Sequence, residues 1–255
     1  MKVVILAGGR GTRLAEETAT IPKPMVEIGG RPILWHIMRL YAHFDLTDFI
    51  VCLGYKGHVI KEYFASYWLH RSDVTVDLSA NRIDYHNRAT EDWRVTLVDT
   101  GDATETGGRI RRIASYLTPG EPICMTYGDG LGDIDIAGSI AFHRTGGRLA
   151  TVTAVRPPPR FGGLRLDGDI VSTFTDAPTE GWINGGFFVL QPEVLDLIAG
   201  DTTVFEREPL QGLAERGQLG AFSHNGFWQP MDTLREKIIL NTLWDSGAAP
   251  WKLWE

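Results

Sequence analysis

Three times along this chain a short apolar run passes straight into glycine and is followed by residues at helical spacing. Val3-Val4-Ile5-Leu6-Ala7 enters Gly8-Gly9, Asp48-Phe49-Ile50-Val51-Cys52-Leu53 enters Gly54, and Pro122-Ile123-Cys124-Met125-Thr126-Tyr127 enters Gly128. Helices are predicted after each: from Arg31 toward Tyr41, over residues 57–67 and over residues 134–144. Continuous apolar strands are buried on both faces, and strands alternating with helices build a mostly parallel sheet. The fold class this predicts is α/β, a Rossmann-like mixed sheet flanked by helices. Ligands of such sheets bind beyond the carboxyl ends of the strands, where all three glycine turns fall.

The rest of the chain adds detail to that frame. Residues 149–155 and 182–190 read as strands, Pro192 opens a helix, and residues 233–244 are amphipathic. Asp167-Gly168 joins two β-prone runs into a hairpin; with a two-residue loop there, Arg160 is predicted to lie opposite Thr175, on the face of Ala177. Residues 74–97 read as a small β excursion, a candidate oligomer contact or lid. At 255 residues and 43% hydrophobic content the chain suits one core, predicted as a single domain over residues 1–255 with an acceptor-binding portion near 150–232.

Charge and composition narrow the partners. The net charge of −7, from 25 basic and 32 acidic residues, leaves no continuous positive track for nucleic acid. An anionic ligand must therefore be held by local cations, backbone N–H groups and metal. No run approaches the roughly 20 apolar residues of a membrane helix, and the first apolar run is too short for a signal peptide. Cys52 and Cys124 stand in buried-strand runs without metal-ligand spacing, which reads as reduced core cysteines of a cytoplasmic protein.

The segment Leu6-Ala7-Gly8-Gly9-Arg10-Gly11-Thr12-Arg13-Leu14 follows the first strand, so its glycines can turn consecutive N–H groups toward a phosphate, with Arg13 and Lys23 adding positive charge. It is not a P-loop, because no Gly-Lys-Ser/Thr closes it. The dinucleotide pattern also fails, since Leu14 stands where a third glycine belongs. Asp129, in a Gly-Asp-Gly turn after a strand, and Asp232, in a distant turn, are carboxylates able to share one Mg²⁺, an oxygen-seeking ion that keeps part of its shell for water and phosphates.

Taken with Ile21-Pro22-Lys23-Pro24-Met25 and Ile28-Gly29-Gly30-Arg31-Pro32, the glycine segment resembles the opening signature of the sugar-1-phosphate nucleotidyltransferases. Trp35-His36-Ile37-Met38, Gly54-Tyr55-Lys56-Gly57, Val95-Thr96-Leu97-Val98-Asp99-Thr100-Gly101, Tyr127-Gly128-Asp129-Gly130, Ile183-Asn184-Gly185-Gly186 and Gly226-Phe227-Trp228-Gln229-Pro230-Met231-Asp232 look like the bacterial glucose-1-phosphate cytidylyltransferases, in the same order. The resemblance covers the whole chain. It implies transfer of CMP from CTP to a sugar 1-phosphate, with Arg13, Lys23 and Asp129 catalytic and Asp129 and Asp232 on Mg²⁺. It also implies nucleotide contacts from residues 6–13, Lys23, Thr104, Arg109, Gly128 and Asp129. Tyr127, Arg160, Asn184, Gly185 and Glu208 would meet the acceptor. Relatives form oligomers, so a homo-oligomer is expected.

The attacking group is a phosphate oxygen, already ionised at neutral pH, so the resemblance implies one in-line step with no general base. Positioning and charge neutralisation do the rest. Base choice is expected in residues 100–109, which follow the cytidylyl pattern. One departure stands out: where the family's strand ends in Glu-Lys-Pro, with the lysine on the sugar phosphate, this chain reads Asp176-Ala177-Pro178. Three readings follow: a transferase for glucose 1-phosphate, a CTP-dependent transferase for another phosphorylated acceptor, and a nucleotide-binding regulator without turnover.

Overall fold

The computed structural model describes residues 1–86, 91–157, 163–167, 170–175 and 181–254, of which 163–167 and 170–175 are described as backbone. Strand β1 (Val3–Ala7) leads through the glycine segment into a short helix α1 (Ala15–Thr18). A tight turn at Lys23–Met25 and the two-residue strands β2 (Glu27–Ile28) and β3 (Arg31–Pro32) deliver the chain to α2 (Ile33–Ala42). β4 (Asp48–Leu53), α3 (Gly57–Ala65) and α4 (Tyr67–Arg71) follow, then the hairpin of β5 (Asp73–Asp77) and β6 (Arg82–His86). Next come β7 (Arg94–Asp99), α5 (Thr106–Arg112), β8 (Ile123–Tyr127), β9 (Gly130–Gly132) and α6 (Ile136–Gly146). β10 (Ala150–Val155) precedes the hairpin β11 (Gly163–Asp167) and β12 (Ile170–Thr175), and β13 (Ile183–Leu190) returns to the main sheet. The chain then passes through α7 (Glu208–Glu215), β14 (Leu219–His224) and β15 (Trp228–Pro230) to α8 (Leu234–Asp245).

Seven strands form the main sheet in the order β14-β10-β13-β8-β1-β4-β7. β8, β1, β4 and β7 run parallel, β10 and β14 run parallel to each other, and β13 is antiparallel to both of its neighbours. The three glycine turns therefore leave neighbouring strands at one edge of the sheet. Side chains alternate across it: Val3, Ile5 and Ala7 enter one core with α2, while Val4 and Leu6 enter a second with Ile110, Phe205 and Leu213. Each fully buried aliphatic or aromatic side chain contributes about 1.5–3 kcal/mol, so two packed faces hold the strand ends in place.

Two expectations need correction. The excursion predicted over residues 74–97 is a free-standing hairpin over Asp73–His86, and Arg94–Asp99 belongs to the main sheet as its edge strand, paired in parallel with β4. This edge strand is only partly buried, with Arg94 and Asp99 exposed at its ends, which is why it reads like excursion. The second hairpin turns one residue later than expected: Asp167 pairs with Ile170, and an irregularity leaves Ser172 unpaired, so Thr175 faces Gly163 and not Arg160. An unpaired residue in one strand shifts every later pair. Arg160 and Ala177 themselves lie outside the described residues. No helix among the described residues is long and apolar enough to cross a membrane.

Candidate active site

A cleft of about 440 Å³ opens at the carboxyl ends of β1 and β8, lined by the glycine segment, Lys23, Thr104, Arg109, Tyr127, Asp129, Trp228 and Asp232. Its glycine segment is shaped by close packing. Gly11 holds φ of 61°, and a Cβ there would come within 3.0 Å of Lys23 and 2.9 Å of Thr18. A Cβ on Gly8 would stand 2.2 Å from the Arg109 guanidinium. Only glycine admits both that backbone conformation and that approach.

Lys23 sits in a short turn between Pro22 and Pro24, 8% exposed. Its ammonium donates to Asp129 Oδ2 at 2.5 Å and to Asp232 Oδ1 at 2.7 Å, and Arg13 reaches Asp232 Oδ2 at 2.9 Å. Burial pulls the Lys23 pKa down, but the two carboxylates, Asp129 foremost, more than offset this and leave it above the ordinary lysine value. Asp129 follows β8 after Gly128, and its carbonyl accepts from Met231 N at 2.8 Å, which ties the two carboxylate-bearing turns together. Asp232 precedes the N-cap Thr233 of α8, where Glu236 closes a capping box and its carboxylate accepts from Asp232 N at 2.7 Å. Residues 103 positions apart thus face one cation.

Because both carboxylates already share one cation and offer oxygen donors alone, they fit a hard divalent ion. No group of three or more metal-ligating side chains is gathered among the described residues. Such an ion would take the rest of its shell from phosphate oxygens and water.

Arg109 is almost fully buried. Its guanidinium donates to the carbonyls of Leu53, Gly101, Gly8 and Asp102 and to Thr100 Oγ1, at 2.7–3.4 Å. It therefore fastens the glycine segment to the end of β4 and to residues 100–102. Arg10 makes a second link, to Asp102 at 3.0 Å on the surface, and does not line the cleft.

Past Tyr127 and Trp228 the cleft adjoins a smaller recess lined by Asn184, Gly185 and Gly186. The Trp228 indole donates to Gly185 O at 2.7 Å. Glu208, expected at the acceptor, is instead exposed at the start of α7 and lines neither space. Glu206 also lines neither space, but it stands behind the cleft wall, where its carboxylate accepts from the Tyr127 hydroxyl and from Thr106 Oγ1 at 2.6 Å. Burial, and then this carboxylate, raise the Tyr127 pKa. Nothing in the spacing of Glu206 and Glu208 separates them; the signal is the core residue Phe205, which turns its neighbour toward the cleft edge.

Two carboxylates around one buried ammonium, beside a glycine-rich turn at the strand ends, are what the structure sets in this cleft. Residues 2–229 match the sequence pattern of the nucleotidyl transferase family, and the chain belongs to that family. It is 57% identical to the glucose-1-phosphate cytidylyltransferase of Salmonella typhi and 44% identical to the probable glucose-1-phosphate cytidylyltransferase of Bacillus subtilis (strain 168), in both cases over the whole of each chain. HddC from Yersinia pseudotuberculosis has the same fold, with a TM-score of 0.69 and 22% identity over 95% of this chain and 99% of that one. The chain is thus a nucleotidyltransferase whose substrates are a nucleoside triphosphate and a sugar phosphate, and the family generally uses a divalent metal.

Proposed function

We propose that this protein transfers CMP from CTP to glucose 1-phosphate, releasing pyrophosphate and forming CDP-glucose, with Mg²⁺ as its metal. The observation that carries the reading is the Lys23, Asp129 and Asp232 cluster, set against the glycine segment in a chain 57% identical, end to end, to a glucose-1-phosphate cytidylyltransferase. The acceptor phosphate attacks the α-phosphorus, the bond to the bridging oxygen of pyrophosphate breaks, and no proton needs removal. Arg13 and the amides of residues 8–13 face the leaving pyrophosphate, and Lys23 offsets charge at the reacting centre. Asp129 and Asp232 would hold the Mg²⁺, which would supply neutralisation of charge on the phosphate oxygens. Thr104 and the residue 100–102 backbone, braced by Arg109, stand where the base would be read.

Cytoplasmic residence is supported by two buried free thiols, whose pKa burial pushes up to about 12. A homo-oligomer is supported by the hairpin of β5 and β6, which leaves Val76, Ile83 and Tyr85 exposed.

The deciding experiment is pyrophosphate release over four nucleoside triphosphates and a panel of phosphorylated acceptors. The highest kcat/KM is expected with CTP and glucose 1-phosphate, because a site that hydrogen-bonds one base edge rejects another by leaving buried groups unpaired. Equal rates with UTP would remove the base assignment. Turnover with CTP and some other acceptor alone would favour the reading suggested by Ala177, and release with no pair would favour a regulator.

A further inference from the structure

Residues 200–207 belong neither to the glycine segment nor to the metal-binding turns, yet they shape the edge of the cleft where the base-reading segment ends. Glu105 N donates to Asp201 O and Gly107 N to Thr203 O, each at 2.9 Å, while Phe205 N donates to Thr106 Oγ1 at 2.9 Å. Arg112 adds a two-pronged contact to Asp201. The packing is tight: a Cβ on Gly108 would fall 2.6 Å from Asp201 Cα. The first turn of α5, which follows Thr104 in the cleft wall, is thus moulded on this segment.

At its end the segment presents Glu206. One carboxylate oxygen takes the Thr106 hydroxyl, on the nucleotide side of the cleft, and the other takes the Tyr127 hydroxyl. Tyr127 lines both the cleft and the recess bearing Asn184 and Gly185. Its ring meets Phe188 edge-on at 6.1 Å, and Phe188 meets Phe205 at 5.7 Å. It also lies against Gly186, where a Cβ would stand 2.7 Å from the ring. With its ring packed this closely, the Tyr127 hydroxyl cannot move without disturbing the carboxylate it shares with Thr106.

We infer that Glu206 is a positioning residue that couples the two halves of the site: binding of the nucleotide against the residue 104–109 segment sets the Tyr127 hydroxyl for the acceptor, and the reverse. This rests on the cytidylyl-transfer reading above. Coupling between sites is reciprocal and typically worth about 5–150-fold in affinity, and a two-bond bridge belongs at the lower end, about fivefold.

The test measures binding of α,β-methylene-CTP by calorimetry, with and without glucose 1-phosphate, in wild type, Glu206→Ala, Glu206→Gln and Tyr127→Phe, alongside KM and kcat for each substrate. Wild type should bind the analogue about fivefold more tightly when glucose 1-phosphate is present. Glu206→Ala should lose that enhancement and raise both KM values severalfold, with a smaller effect on kcat. Glu206→Gln should keep most of it, because a carboxamide accepts from one hydroxyl and donates to the other. Tyr127→Phe, which leaves residues 200–207 untouched, should lose the enhancement too and covers the case in which Glu206→Ala does not fold. An enhancement that survives in Glu206→Ala or Tyr127→Phe overturns the coupling. So does an active wild type with no enhancement at all. A wild type that turns over neither CTP nor glucose 1-phosphate sinks the parent reading instead, and the coupling with it.

Discussion

Replacing Lys23 by methionine keeps the bulk of the side chain and removes a cation that touches both Asp129 and Asp232. Lys23, Arg13, Asp129 and Asp232 together carry a formal charge of zero; the variant leaves −1, partly buried. Removing one partner of a buried ion pair costs about 3–5 kcal/mol. Here Asp129 is one-third exposed at its side chain and Arg13 stays on Asp232, so the lower limit, about 3 kcal/mol, applies. At about 2–4 °C per kcal/mol for a chain of this size, Tm should fall by roughly 6–12 °C. Millimolar Mg²⁺ at constant ionic strength should return part of that loss in the variant and change wild type little, because the variant's uncompensated carboxylates gain a cation. Activity should drop at least about a hundredfold, as when one preorganised charge-stabilising donor is lost. Scanning fluorimetry with and without MgCl₂, and pyrophosphate release, check both. A variant that melts with wild type, ignores Mg²⁺ or keeps more than a tenth of the activity would refute the shared-cation picture.

Asp129→Asn and Asp232→Asn should each cut kcat by about a hundredfold or more with the fold retained by circular dichroism; a loss below tenfold at saturating Mg²⁺, under about 1.4 kcal/mol, would remove the ligand role. Arg109→Lys cannot span five acceptors with one ammonium, so the KM for CTP should rise severalfold and Tm should fall; steady-state kinetics that match wild type would contradict the brace. His36 is buried, and burial lowers its pKa from 6.5 to about 4. The unfolded chain therefore takes up the proton first, so stability present above pH 6.5 is lost as pH falls toward 4, by about 3 kcal/mol in all. Urea midpoints measured from pH 7 to 4 should show this slope, flattened in His36→Gln.

The parts legible in the sequence are those fixed by local chemistry. Continuous apolar strands ending in glycine announce the parallel half of the sheet, and Pro22 and Pro24 mark the turn that presents Lys23. The pairing of Asp129 with Asp232 was legible as carboxylate chemistry, but their meeting depends on α8 starting at Thr233 and on the Met231 to Asp129 hydrogen bond, which no local pattern encodes. The antiparallel course of β13 was not legible either, since strand direction leaves no mark on composition. The hairpin register departs from expectation because the turn falls one residue later and Ser172 is left unpaired. Arg109 is expected at the nucleotide, and it does line the cleft, but its bracing role is not legible in the sequence. Its donors bond four carbonyls and a hydroxyl, a role that depends on three separate loops converging. Glu206 went unread because its partners, Thr106 and Tyr127, lie 100 and 79 positions away.

The fully buried Trp251 has a consequence for synthesis on the ribosome. Its indole donates to His36 Nδ1 at 3.3 Å across 215 positions, and its rings pack on Phe227 and Trp244 in the same core that holds Val3 and Ile5. At about 5–20 residues per second, translation needs roughly 10–40 s to pass from one partner to the other. Throughout that interval the face of α2 that ends beneath Trp251 waits uncovered on a nascent chain. The first strand and α2 are therefore among the last elements to be sealed, and in that window their apolar faces are open to association with other unfinished copies.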